Sequence, residues 1–138
     1  MMKMNRLIVP AKLDELEKVI DFVNTFLEKE ECSMRIQAQI DVAVEEIFVN
    51  IANYAYNPEI GKAEIEVEIS DEPITVSITF KDSGVPYNPL EKADPDITLS
   101  AEERDIGGLG IFMVKKSMDD IEYSYKDGRN VLTIKKKL

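Results

Sequence analysis

Apolar residues recur along this chain with two different periods, and the change of period divides it into elements. Leu13, Leu16, Val19, Ile20, Val23, Phe26 and Leu27 fall at helical spacing between Leu13 and Lys29, with charges on the other side. That pattern predicts an amphipathic helix facing a core. Before it, Arg6-Leu7-Ile8-Val9 is a short apolar run ended by Pro10, which reads as a strand. A second helix is predicted after Ser33, whose hydroxyl suits an N-cap, through Ile36, Ile40, Ala43, Val44, Ile47, Phe48 and Ile51 toward Pro58. From Ile40 to Ala55 this helix is apolar almost all round. A helix of that kind is buried on most sides, so each polar residue it keeps needs a partner.

The period then changes to two. Ile65, Val67 and Ile69 alternate with Glu64, Glu66 and Glu68 between Ala63 and Ser70, and Val76 and Ile78 alternate with Thr75, Ser77 and Thr79 between Ile74 and Phe80. Two strands follow, joined as a tight hairpin by Asp71-Glu72-Pro73. Each has one apolar and one polar face, as in a sheet covered by helices on one side only. From Ser83 to Ile106 the sequence holds Gly84, Pro86, Pro89 and Pro95 among charges with no period, which predicts a lid over 83–106. Gly107-Gly108-Leu109-Gly110 opens a third helix through Ser117. Ile121 to Tyr125 and Asn130 to Lys136 form a last hairpin around Asp127-Gly128. The expected architecture is α+β in two layers: a mostly antiparallel mixed sheet covered on one face by about three helices.

Length and charge narrow the function. The 138 residues fit one domain, 1–138. With 27 acidic against 17 basic residues the net charge is -10, and the longest basic run is Lys135-Lys136-Lys137, which argues against direct nucleic-acid binding. No apolar stretch suits a membrane span or a signal peptide, and Cys32 is alone, so a cytoplasmic protein is expected. The chain has no histidine, which removes the commonest general base and metal ligand and leaves acid-base work to carboxylates.

Three sequence features carry chemistry. On the second helix Glu46, Asn50, Asn53 and Asn57 stand at i, i+4, i+7 and i+11, one polar stripe on an otherwise apolar rod. A solvent-facing stripe is the ordinary source of such spacing, but the apolar neighbours on both sides argue against it here. Asp82-Ser83-Gly84-Val85-Pro86 stands where a strand turns into the lid. The glycines at 107, 108 and 110 precede a helix, where backbone amides can approach phosphate oxygens. Each of the last two is an ordinary turn or connection when taken alone.

Their order resembles that of the GHKL, or Bergerat-fold, ATPases, over roughly Ile36 to Leu138: a Glu-x-x-x-Asn helix, a strand ending in Asp-x-Gly-x-Pro, a lid, then Gly-x-Gly before a helix. The resemblance implies Mg-ATP binding. It implies that Asn50 ligates Mg²⁺, with Asn53 beside it on the nucleotide side of the helix. Glu46 would be the catalytic base. Asp82 would accept a hydrogen bond from the adenine amino group, with Gly84 letting the base approach and Thr133 supporting the same contact. Gly108 and Gly110 would cradle phosphate, flanked by Gly107, Leu109 and Ile111, and Arg104 would help with phosphate or partner contacts.

Within that group, topoisomerase, chaperone and MutL-type members carry further domains for which 138 residues are expected to leave no room. Histidine kinases need a phosphoacceptor histidine. The remaining branch, which Met118-Asp119-Asp120 and Asp127-Gly128-Arg129-Asn130 also resemble, is the anti-sigma-factor serine/threonine kinases. This implies phosphorylation of a STAS-type anti-anti-sigma protein, sequestration of a sigma factor, and a homodimer for which the Arg6 to Val9 strand is a plausible edge. The alternatives are a nucleotide-binding partner-switch module without transfer, and a structural adaptor with a degenerate pocket.

Overall fold

A computed structural model describes residues 3–55, 61–91 and 108–138. The chain runs β1 (Lys3–Pro10), a 3-10 turn (Leu13–Glu15), α1 (Leu16–Lys29), α2 (Met34–Asn50), a π-helical turn (Ile51–Ala55), β2 (Lys62–Ser70), β3 (Thr75–Asp82), a 3-10 turn (Pro89–Glu91), α3 (Gly108–Ser117), β4 (Asp120–Lys126) and β5 (Arg129–Lys137). The strands form one sheet in the order β1-β2-β3-β5-β4. Every pairing among the described strands is antiparallel. β1 is an edge strand, as expected, and β4 is the other.

Local sequence accounts for the boundaries. The Ser33 hydroxyl accepts from the Ile36 amide at 3.2 Å, the predicted N-cap of α2, an arrangement that stabilises a helix by about 1 kcal/mol. Asp127 and Gly128 have positive φ angles of 55° and 75°, the tight turn that Asp-Gly favours between antiparallel strands. The first helix differs slightly from expectation, since Leu13–Glu15 winds as a 3-10 turn before α1 begins.

One core joins the layers. Val19, Val23 and Leu27 of α1, and Ile40, Ala43, Val44, Ile47 and Phe48 of α2, pack with Val114 of α3 onto Ala63, Ile65, Val67, Val76, Ile78, Phe80, Leu132 and Ile134 of the sheet. Phe48 and Phe80 are the largest of the fully buried side chains. Burying each such ring contributes roughly 1.5–3 kcal/mol, so Phe48 fixes α2 near its C-terminal end. The polar stripe must then find its partners in protein or ligand.

The opposite sheet face is polar and tied by charge. Glu64 is 8% exposed, and its carboxylate lies 3.4 Å from Arg6 Nε, 3.9 Å from Lys81 Nζ and 3.3 Å from Arg129 Nη2. Lys81 Nζ also donates to Glu66 Oε1 at 2.9 Å. The network links β1, β2, β3 and β5. No helix among the described residues is long and apolar enough to cross a membrane.

Candidate nucleotide-binding site

The end of the α2 region, the end of β3 and the start of α3 meet at a partly open cleft. Ile47, Asn50, Ile51 and Ala55 form one wall. Phe80, Asp82, Leu132, Asn130 and Tyr123 of the sheet form another, and Val85, Tyr87, Pro89 and Ile111 complete it. The lining is mainly apolar with a few polar groups converging, which suits a flat heterocycle held by hydrogen bonds at its edge.

Asp82 is buried, at 5% exposure, yet well partnered. Its Oδ1 accepts from the Gly84 amide and from Asn130 Nδ2, each at 2.9 Å. Gly84 is required by closeness: a Cβ there would overlap the Ala55 carbonyl and methyl. The Val85 amide donates to that same Ala55 carbonyl at 3.0 Å. The carbonyl at the end of the π-helical turn is thus taken by the loop after β3.

In the last turn of α2, the Glu46 side chain is half-buried and hydrogen-bonded to Asn50. Burial pushes its pKa up and the neighbouring Glu45 charge adds to this, while the Asn50 hydrogen bond opposes both. Such a carboxyl is poised to take a proton nearer neutral pH than a solvated one. Gly110 packs against it so closely that a Cβ at 110 would overlap the carboxylate. Glu46 and the first turn of α3 are thus held together, and that turn has free backbone N–H groups and a positive dipole end.

Of the expected residues, Asn50, Asp82 and Ile111 line this cleft; Gly84 donates to Asp82, Glu46 bonds Asn50 and packs against Gly110, and α3 starts at Gly108 with Leu109 next. Two expected residues lie elsewhere. Thr133 faces away: its Oγ1 shares a hydrogen bond of 2.9 Å with Thr79 Oγ1 on the polar sheet face, and it lines a separate hollow with Glu66, Glu68, Ser77 and Lys135. Strand alternation explains this, because Leu132 and Ile134 point to the core and the residue between them cannot. Asn53 is exposed and absent from the lining, because the α-helix ends at Asn50 and the π-helical turn breaks the spacing that placed Asn53 on the stripe. Arg104, Gly107 and Asn57 lie outside the described residues.

Asn130 is not among the residues expected from sequence, yet it is buried beside Asp82 and paired with it in register. A signal existed. It shares the parity of Leu132 and Ile134, and a polar residue at the inward end of a core strand calls for a buried partner.

An antiparallel sheet backed by helices, with a cleft between a glutamate-asparagine helix, an aspartate-glycine turn and a glycine-led helix, is the arrangement of an ATPase-type nucleotide domain. The profile of the histidine kinase-like ATPase domain matches residues 9–136, and the chain belongs to that family. It is 26% identical over 102 residues to serine/threonine-protein kinase BtrW of Bordetella bronchiseptica, a match covering 74% of this chain and 71% of that protein. It is 29% identical over 98 residues to serine-protein kinase RsbW of Bacillus cereus strain AH187, covering 68% of this chain and 60% of that one. The crystal structure of the RsbU and RsbW domains of a Mycobacterium tuberculosis protein superposes with a TM-score of 0.70 at 13% identity, over 99% of this chain and 32% of that one. The last comparison speaks for the fold.

Proposed function

We propose that this protein is a Mg-ATP-dependent anti-sigma-factor serine/threonine kinase that phosphorylates a STAS-type anti-anti-sigma protein and sequesters a sigma factor. The observation that carries this reading is that Asp82 and Asn50 line one cleft, with Asn50 bonded to Glu46 and Glu46 packed against Gly110 of α3. In this reading Asp82 accepts a hydrogen bond from the adenine amino group and the apolar walls hold the ring. The first turn of α3, with Gly108, Leu109, Gly110 and Ile111, lies at the phosphates, and Arg104 and Gly107 belong to the lid that covers them. Glu46 accepts the proton of the attacking hydroxyl.

The Mg²⁺ implied by this chemistry fits the residues present. No group of three or more acidic or cysteine side chains stands ready to hold a metal among the described residues. Mg²⁺ in nucleotide sites needs little more than one protein oxygen, the rest coming from phosphates and water. The Asn50 side chain, lining the cleft beside Glu46, offers that oxygen. The ion would neutralise charge on the phosphates.

The protein partners and the cytoplasmic setting follow from the same reading, as does a homodimer through the β1 edge. The test is direct. Nucleotide titration with and without Mg²⁺ should show binding that Asp82→Asn weakens strongly, and labelled ATP should transfer phosphate to a STAS-type protein. Binding without transfer to any such protein would favour a nucleotide-dependent switch instead.

A further inference from the structure

Asn130 uses every hydrogen-bonding position of its amide. Its Nδ2 donates to Asp82 Oδ1 at 2.9 Å and to the Val85 carbonyl at 2.8 Å. Its Oδ1 accepts from the Tyr87 amide at 3.0 Å and from the Tyr123 hydroxyl. The side chain is 6% exposed, so water cannot replace any of these four partners cheaply. The network also fixes which way round the amide sits. Turned over, it would set its NH₂ against the Tyr87 N–H and its oxygen against Asp82 and the Val85 carbonyl.

The partners come from three places: β3, the first residues after it, and the edge strand β4. Among the described residues both donors to Asp82 end on Oδ1, which leaves Oδ2 as the oxygen for a ligand in the cleft. A carboxylate oxygen held in one orientation accepts from an exocyclic amine and repels a carbonyl at the same spot. We infer that Asn130 is a positioning residue for base selection, clamping Asp82, Val85, Tyr87 and Tyr123 so that the cleft prefers a 6-amino purine over a 6-oxo purine. This rests on the nucleotide reading of the cleft.

The experiment measures dissociation constants for ADP and for inosine diphosphate, which carries an oxo group in place of the 6-amino group and, with it, a proton on N1. The unsubstituted chain should prefer ADP. Asn130→Asp exchanges two donors for acceptors facing Asp82 and the Val85 carbonyl. The ADP preference should fall about tenfold or more, the scale of a buried polar group left unpaired. An anchor of purely structural importance would weaken both nucleotides alike, so an unchanged ADP preference overturns the inference. Should Asn130→Asp lose its cooperative melting transition, Tyr123→Phe decides: it removes one hydroxyl from the clamp and should lower the same preference severalfold, and an unaltered preference overturns the inference again. Failure of the unsubstituted chain to bind ADP at all sinks the nucleotide reading and this inference with it. Binding of ADP with no preference over inosine diphosphate sinks the inference alone.

Discussion

The Glu46 carboxylate rests on the backbone of Gly110, with no room between them for a methyl group. Two helices distant in sequence are brought this close at the proposed proton acceptor. Gly110→Ala must therefore displace either the carboxylate or the first turn of α3. A misplacement of about 1 Å in a reacting geometry costs on the order of 100-fold in rate. Phosphoryl transfer should fall by about that much while the melting temperature changes little; wild-type transfer by this variant would show the contact to be idle.

The raised pKa of Glu46 gives a pH signature. Only the ionised carboxylate can accept a proton, so transfer should be lost as pH falls through a pKa lying above that of a solvated glutamate. Glu45→Gln removes a repelling charge and should move this acid limb to lower pH. Glu46→Gln should keep nucleotide binding and lose transfer by about 10²–10⁴-fold. Rate profiles at saturating nucleotide, with parallel binding titrations, separate these outcomes.

Gly84 allows the loop after β3 to lie on the last turn of the α2 region. In Gly84→Ala the new Cβ overlaps the Ala55 carbonyl and methyl, so the Val85 to Ala55 hydrogen bond cannot keep its geometry. Overpacking of this sort destabilises by about 1–3 kcal/mol. Nucleotide affinity should fall as well, since Asp82 loses its Gly84 partner. Denaturant melts and ADP titration would register both effects, and an unperturbed variant would contradict the contact.

A fourth expectation concerns the seam between α1 and α2. Asp41 accepts a long hydrogen bond, 3.5 Å, from Asn24 Nδ2, while Asp41 Oδ1 and Asn24 Oδ1 are buried without partners. Burial pushes the Asp41 pKa up, with the Asn24 bond opposing. Below the ordinary aspartate pKa both folded and unfolded chains hold the proton, and the folded one benefits from the neutral form. As pH rises through the raised folded pKa that benefit disappears. Asp41→Asn keeps the neutral form at all pH and can donate to Asn24 Oδ1, so it should stabilise at pH 7 by about 1 kcal/mol, the net value of one hydrogen bond. Equal melting temperatures for the two proteins at pH 7 would refute this.

Periodicity served well wherever one period held throughout an element. The five strands, the three helices, the Ser33 cap and the Asp127-Gly128 turn follow from alternation, helical spacing and turn chemistry. Glu46 and Asn50 were legible because both lie within the regular part of α2. Asn53 was misplaced because the winding changes at Ile51, and nothing in Ile51-Ala52-Asn53-Tyr54-Ala55 marks a π-helical turn. The resemblance implies Thr133, whereas strand parity, readable from Leu132 and Ile134, points to Asn130. The contact of Gly110 with Glu46 is tertiary and has no local signal.

The widened turn at the end of α2 also sets a length. Nine steps along the chain lead from Glu46, against α3, to Ala55, against the Asp82 loop, the first four in α-helix and the rest through the π-helical turn. On the proposed reading the two ends of this rod touch the two ends of one nucleotide, so the rod is a ruler. Adding or deleting a residue between those contacts would change the span by only about 1.5 Å but would turn one contact about 100° around the axis from the other. This stretch should therefore accept substitutions on its outer side and refuse any change of length.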